Sequence, residues 1–228
     1  YDQDMHANPN NPTATNGTDQ AWGGNRARPD LVKKFFPNGN IPNLESYATA
    51  EAAGDDRALF NGINRSLDND DVATFKSGFG VAKFTNFKTD GSAGHDATFP
   101  DADFFLMRAA EAYLNFAEAD ARINGGQTTK EGTEAINAIR KRANASPRED
   151  KGYSLNDICD EWSREFYFEG RRRMDLIRFN RFGGNVNYNW QWKGGTKEGR
   201  NFSKDLNIFA IPTNELTSNK NLIQNPGY

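Results

Sequence analysis

Three glutamates spaced four residues apart, Glu161, Glu165 and Glu169, run through a segment in which Leu155, Ile158, Trp162 and Phe166 keep helical spacing. A helix stacks those carboxylates along one face, where each unpaired neighbouring couple costs about 0.2–0.5 kcal/mol. The face therefore requires cations. Arg164, Arg171, Arg172, Arg173 and Arg178 are nearest in sequence, with Arg108, Arg140 and Arg142 on the preceding helical segments. Guanidinium groups pair bidentately with carboxylates and suit an inter-helix lattice better than lysine does. The structural reading is an ion-pair lattice of Arg108, Arg140, Glu161, Arg164, Glu165, Glu169, Arg172, Asp175 and Arg178.

Two functional readings compete with it. Glu165 and Glu169, at i and i+4, could reach the separation of a glycosidase acid/base pair. The surrounding arginines, however, would lower both pKa values, whereas a general acid needs one raised. Alternatively, Arg171-Arg172-Arg173 could bind phosphate or nucleic acid. Asp175 beside that run, and a formal net charge of −3 over 228 residues, speak against a nucleic-acid partner.

The spacing predicts four helices in residues 101–182. Leu106, Ala110, Tyr113, Leu114, Ala117 and Ala121 form the stripe of the first, with Asp101 and Asp103 near its N-terminus and Asn124-Gly125-Gly126 as its stop. Thr128 or Thr129 caps a second helix, whose apolar face is Ala135, Ile136, Ile139 and Ala143. Ser154 caps the third, and a fourth follows Gly170 with Met174, Leu176, Ile177 and Phe179. Two such helical hairpins are reminiscent of tetratricopeptide-type repeats, which bury their faces only by stacking on further hairpins. Trp162, in register, is a core residue, as is the single cysteine, Cys159.

Residues 1–100 read differently: a turn-rich opening, then short apolar islands at 31–36, 58–63 and 72–87, with a small β-hairpin expected across Ser77-Gly78. Such islands supply little core of their own. Residues 183–228 form a Gly- and Asn-rich loop, a short strand, a stop at Pro212 and an extended tail. The expected organisation is thus a loop-rich segment (1–100), a helical scaffold (101–182) and an aromatic loop with tail (183–228), in a mainly α fold.

Other chemistry finds little support. His6 and His95 lack partners at metal-ligand spacing, and one cysteine allows neither a disulfide nor a cysteine-based zinc site. The run at 68–75, "DNDDVATF", begins like a calcium loop but lacks its glycine and distal glutamate. No run is apolar enough to cross a membrane as a helix. No cofactor or metal is expected.

The stretches "FFLMRAAEAYLNFAEADARING", "AINAIRKRA", "EWSREFYFEGRRRMDLIRF" and the terminal "IPTNELTSNKNLIQNPGY" resemble, in that order, SusD/RagB-like proteins. The likeness is strong over residues 101–182 and 206–228 and looser over 30–100, through "RPDLVKKFF", "DDR" and "VAKF". It implies a tetratricopeptide-like α-α scaffold carrying loop-rich segments, and no catalysis. The implied role is capture of oligosaccharide by a lipid-anchored protein on the outer-membrane surface, for delivery to a SusC-like TonB-dependent transporter. A helical cap on a transporter for a non-glycan nutrient such as peptide is the alternative. Family members are typically about twice as long, so the resemblance casts the chain as the C-terminal half, with the N-terminal half as a partner.

The family's motif residues are scaffold residues, so ligand contacts are sought in the loops. Sugars stack on flat aromatics and bond to Asn, Asp and Arg. Trp22 with Asn25 and Arg26 is one candidate group. Tyr188, Trp190 and Trp192 are the other, since alternate positions of an extended backbone share a face. In each case the bland reading is a loop anchored on the scaffold.

Overall fold

The structure, a computed structural model, describes residues 17–18, 24–184 and 186–228. Among the described residues it is mainly α, with seven α-helices and one two-stranded sheet. The chain forms two compact units, Tyr1–Gly170 and Arg171–Tyr228.

In the first unit, α1 (Pro29–Val32), α2 (Ser46–Ala53), β1 (Phe60–Asn61) and β2 (Gly80–Val81) precede α3 (Ala109–Ile123), α4 (Lys130–Arg142) and α5 (Leu155–Phe166). Helix α5 starts where Ser154 predicts. The Ser154 hydroxyl accepts from the Asp157 amide, and the Asp157 carboxylate accepts from the Ser154 amide at 2.9 Å. This capping box satisfies two otherwise orphaned donors. Arg148 clamps the same carboxylate at 2.9 and 2.6 Å. Burial alone would raise the Asp157 pKa, but these hydrogen bonds hold it at about 2.

Ile158, Cys159, Trp162 and Phe166 of α5 are buried, and the Trp162 indole donates to Glu118 of α3 at 3.0 Å. Helix α3 packs against both α4 and α5. Its buried apolar residues Ala110, Leu114, Ala117 and Ala121 are mostly alanine, which permits close helix approach. Asp120 near its end accepts from the Thr129 amide at 2.7 Å and from the Thr129 hydroxyl at 3.0 Å. It thus supplies a carboxylate to the start of α4, where Thr129 itself makes no side-chain cap.

The first scaffold helix begins later than its pattern predicts. Residues 101–107 are not helical, and Leu106 is 83% exposed. Asp101 is otherwise engaged: its carboxylate accepts from the His95 amide at 2.5 Å, and its own amide donates to Asn86 at 2.9 Å. The Asp101 expected near the helix N-terminus instead ties the preceding loop together.

The loop-rich segment also differs, because it builds a core. Val32, Phe35, Phe36, Phe60, Phe79 and Val81 bury together with Tyr167, which follows α5. Ring centroids lie 5.5 Å apart for Phe35–Phe60 and 5.4 Å for Phe60–Tyr167. The islands cover one another, a relation that no local period reveals. The small sheet pairs Phe60 with Val81 and Asn61 with Gly80, antiparallel, rather than folding across Ser77-Gly78. Upstream of that dipeptide, Asp71 accepts from Ala73 and Thr74 at 2.9 and 2.7 Å, turning the chain before a strand can form.

The second unit holds α6 (Arg172–Arg178), 3-10 turns at Lys193–Gly195 and Lys204–Asn207, and α7 (Thr213–Ser218). Pro212 opens α7 rather than closing a strand, since its restricted φ suits a helix start. The tail folds back, with the Gln224 side chain exchanging hydrogen bonds with the Ile211 amide and carbonyl at 2.8 and 2.9 Å.

Candidate functional site

In the first unit Glu161 and Glu165 share a face of α5, whereas Glu169 falls in the turn beyond its end, after Phe168 at φ +61°. The helix stops at Phe166 rather than running through all three carboxylates, and cations nonetheless meet each of them. Arg140 of α4 reaches Glu161 at 2.8 Å and Arg164 reaches it at 2.7 Å, while Arg57 lies 2.8 Å from its other oxygen. Glu165 accepts from Arg57 at 3.0 Å, Arg108 at 2.7 Å and Arg142 at 2.7 Å. Glu169 accepts from Arg108 at 2.7 and 2.9 Å and pairs with Lys83.

Arg57 and Lys83 are additions that helical spacing does not reveal, lying 108 and 86 residues before their partners Glu165 and Glu169. The signal available for Arg57 is "DDR": Asp55 orients the guanidinium at 2.9 and 2.8 Å. Lys83 also donates to the Glu165 and Tyr167 carbonyls, each at 2.9 Å, satisfying acceptors at the helix end. Arg172, Asp175 and Arg178 lie in the second unit. There Asp175 and Arg178 of α6 approach to 3.0 Å and Arg172 donates to the Tyr188 hydroxyl at 2.7 Å.

The electrostatics follow from geometry. Burial acts to raise the Glu161 pKa, but the charges of Arg164, Arg57 and Arg140 outweigh it and hold the carboxyl at about 2. Glu165 is likewise lowered against its burial by hydrogen bonds from Arg142 and Arg108 and the charge of Arg57. Both remain ionised acceptors at neutral pH, the wrong form for a general acid. Burial dominates at Lys83 and brings its pKa down to about 8 despite Glu169.

The aromatic loop lies in the second unit. Tyr188 and Trp190 have ring centroids 6.4 Å apart, and Trp190 stacks on Phe182 at 6.1 Å. Beneath them the buried Lys193 ammonium donates to the Tyr188 carbonyl at 2.6 Å and to Asn201 at 3.2 Å, 4.7 Å from the Trp190 centroid. Arg181 stands 4.9 Å over the Tyr188 ring. The extended alternation ends at Trp190, because the Trp192 backbone is left-handed at φ +68°. Tyr188 and Trp190, both half-buried, are a pair of flat rings with arginines alongside, chemistry that suits a sugar's apolar face and hydroxyls.

Trp22 lies outside the described residues. Asn25 is exposed, and the Arg26 guanidinium donates to the carbonyls of Thr74 and of Val72, the latter at 3.0 Å. Arg65 binds the Phe75 carbonyl in the same way. The carbonyls of the calcium-like run thus receive guanidinium groups. Among the described residues no group of three His, Cys, Asp or Glu could hold a metal ion, and no helix is long and apolar enough to cross a membrane.

Comparison with known proteins adds the remaining findings. The family model described as "SusD family" matches residues 49–228. The starch-binding protein SusD of Bacteroides thetaiotaomicron is 37% identical over 93% of the chain, which spans 43% of that relative's length. A solved SusD-like protein from Bacteroides fragilis superposes with a TM-score of 0.61 at 22% identity, over 92% of this chain and 48% of that one. Surface glycan-binding protein A from Bacteroides uniformis gives 0.54 at 20% identity, over 88% and 52%. The two structures share the fold.

Proposed function

The chain belongs to the SusD family, and from that premise we propose that it is part of a non-catalytic protein that captures oligosaccharide at the outer-membrane surface. The observation that carries the reading is its 37% identity, across 93% of its length, with a protein named for starch binding. Captured glycan passes to a SusC-like TonB-dependent transporter, and a lipid anchor on the longer polypeptide holds the assembly at the membrane. The remainder of that polypeptide is the chain's other partner.

Tyr188 and Trp190 are the proposed sugar platform. The ring planes are inclined at 60°, so a pyranose lays its apolar face on one of the two rings and its edge against the other, while Arg172 and Arg181 hydrogen-bond its hydroxyls. Trp22, Asn25, Arg26 and Trp192 are further candidate contacts. The lattice around Glu165 holds the scaffold and does no chemistry.

The test is titration of the full-length polypeptide with malto-oligosaccharides and a panel of other glycans, read by tryptophan fluorescence and calorimetry. Quenching by at least one glycan, lost in Trp190→Ala without loss of fold, is expected. A flat response across the panel refutes glycan capture, and transporter copurification without sugar binding then favours the peptide alternative.

A further inference from the structure

The two units carry opposite charge. Although the whole chain has a formal net charge of −3, residues 171–228 hold ten Lys and Arg against four Asp and Glu. Asp175 is buried against Arg178 at 3.0 Å, Asp205 accepts from the Ser203 hydroxyl at 2.7 Å, Glu215 lies in the first turn of α7, and Glu198 stands between Lys197 and Arg200 in sequence. The cations gather on the aromatic row. Arg172 donates to the Tyr188 hydroxyl at 2.7 Å, and Arg181 stands 4.9 Å over the same ring. The Lys193 ammonium lies 4.7 Å from the Trp190 centroid and 5.5 Å from that of Phe202. Arg173 is 5.0 Å from Phe182, the ring on which Trp190 stacks. Lys193 is buried, where water screens its field least.

We propose that the Tyr188–Trp190 platform takes an acidic oligosaccharide, one bearing uronate carboxylates or sulfate esters, in preference to a neutral one. The inference rests on the glycan-capture reading and deepens it by naming the substrate class. A neutral sugar asks of such a site only a flat ring and hydrogen-bond donors, which asparagine or glutamine supplies equally well. Guanidinium groups at Arg172 and Arg181 add a charge-assisted fork that matches paired oxygens of a carboxylate or a sulfate, while the apolar face of the sugar lies on the aromatic ring. Like charges crowded around one ring pair also repel one another, and an anionic ligand relieves that repulsion where a neutral one does not.

Calorimetric titration of the full-length polypeptide tests this with three probes: a galacturonic acid hexamer, a sulfated carrageenan hexamer free of uronate, and maltohexaose. At least one acidic probe binds ~10-fold or more tightly than maltohexaose, and its affinity falls severalfold between about 0.05 and about 0.5 M NaCl. Which acidic probe responds separates carboxylate from sulfate recognition. Arg181→Gln keeps a donor and removes the charge, so it weakens the acidic probe ~10-fold and flattens the salt dependence. Arg172→Gln serves as a second variant, and circular dichroism confirms that each stays folded. Lys220→Gln, exposed in the tail of the same unit, leaves the affinity within about twofold. Maltohexaose binding as tightly as both acidic probes overturns the proposal and leaves glycan capture standing. An acidic preference unchanged in both arginine variants overturns the site, as does an equal loss in Lys220→Gln, which marks diffuse attraction to net charge. Silence from all three probes overturns the proposal too, and glycan capture falls with it only when the wider panel is also silent.

Discussion

Replacing Glu165 with glutamine keeps shape and removes one charge from the centre of the lattice. The cost is worked from its three partners. Arg142 is 53% exposed, so water takes over its solvation and its share is about 0–1 kcal/mol. Arg57, with 9% of its side chain exposed, keeps Asp55 and Glu161, and Arg108 keeps Glu169. Breaking a buried pair costs about 3–5 kcal/mol when the stranded charge has nothing else, so the retained partners put Glu165→Gln near ~3 kcal/mol. For a domain of this size that lowers Tm by about 6–12 °C. Circular dichroism at 222 nm reads it, with the exposed Glu134→Gln as a control expected within about 0.5 kcal/mol of the parent. The pH dependence has a definite sign. The folded pKa of Glu165 is depressed, so its contribution is present above the ordinary value of 4.5 and lost as pH falls through the folded value. The gap between parent and variant therefore narrows in acid. A Tm within about 1 °C of the parent at pH 7 would show that the carboxylate is not a structural anchor.

Lys83 makes the opposite prediction. Its folded pKa of about 8 lies below the ordinary 10.5, so the unfolded chain binds more protons between those values and stability rises with pH there. Urea denaturation at pH 7 and 9.5 should show the parent gaining about 2 kcal/mol relative to Lys83→Met. Ser154→Ala removes the capping box of α5 and should cost about 1 kcal/mol in the same assay. Tyr167→Phe deletes the hydroxyl that donates to the Arg57 carbonyl at 2.6 Å inside the core, and should cost about 1–3 kcal/mol.

What could be read from the chain was whatever repeats locally. The spacing of Ile158, Trp162 and Phe166 marks α5, Ser154 marks its start, and Gly170, at φ +74°, marks the break before α6. Leu106 misled because it stands four residues before Ala110 and so continues the count of the buried stripe, although the helix begins only at Ala109 and Asp101 is bonded into the preceding loop. The Phe35–Phe60–Tyr167 cluster and the entry of Arg57 and Lys83 into the lattice depend on contacts between distant parts of the chain, which carry no period. The alternation of the aromatic loop stops at Trp192 for a different reason. A left-handed bulky residue is disfavoured intrinsically, and here a local loop imposes it.

The way Arg57 and Lys83 enter the helical scaffold bears on how such a molecule can change. Each arrives on a non-helical segment and plugs a single cation into a fixed row of carboxylates. A connector that delivers a guanidinium or ammonium to the same socket keeps its alignment whatever the rest of it spells. Segments mounted this way can change in sequence and length between their pins while the row of carboxylates on the scaffold stays as it is.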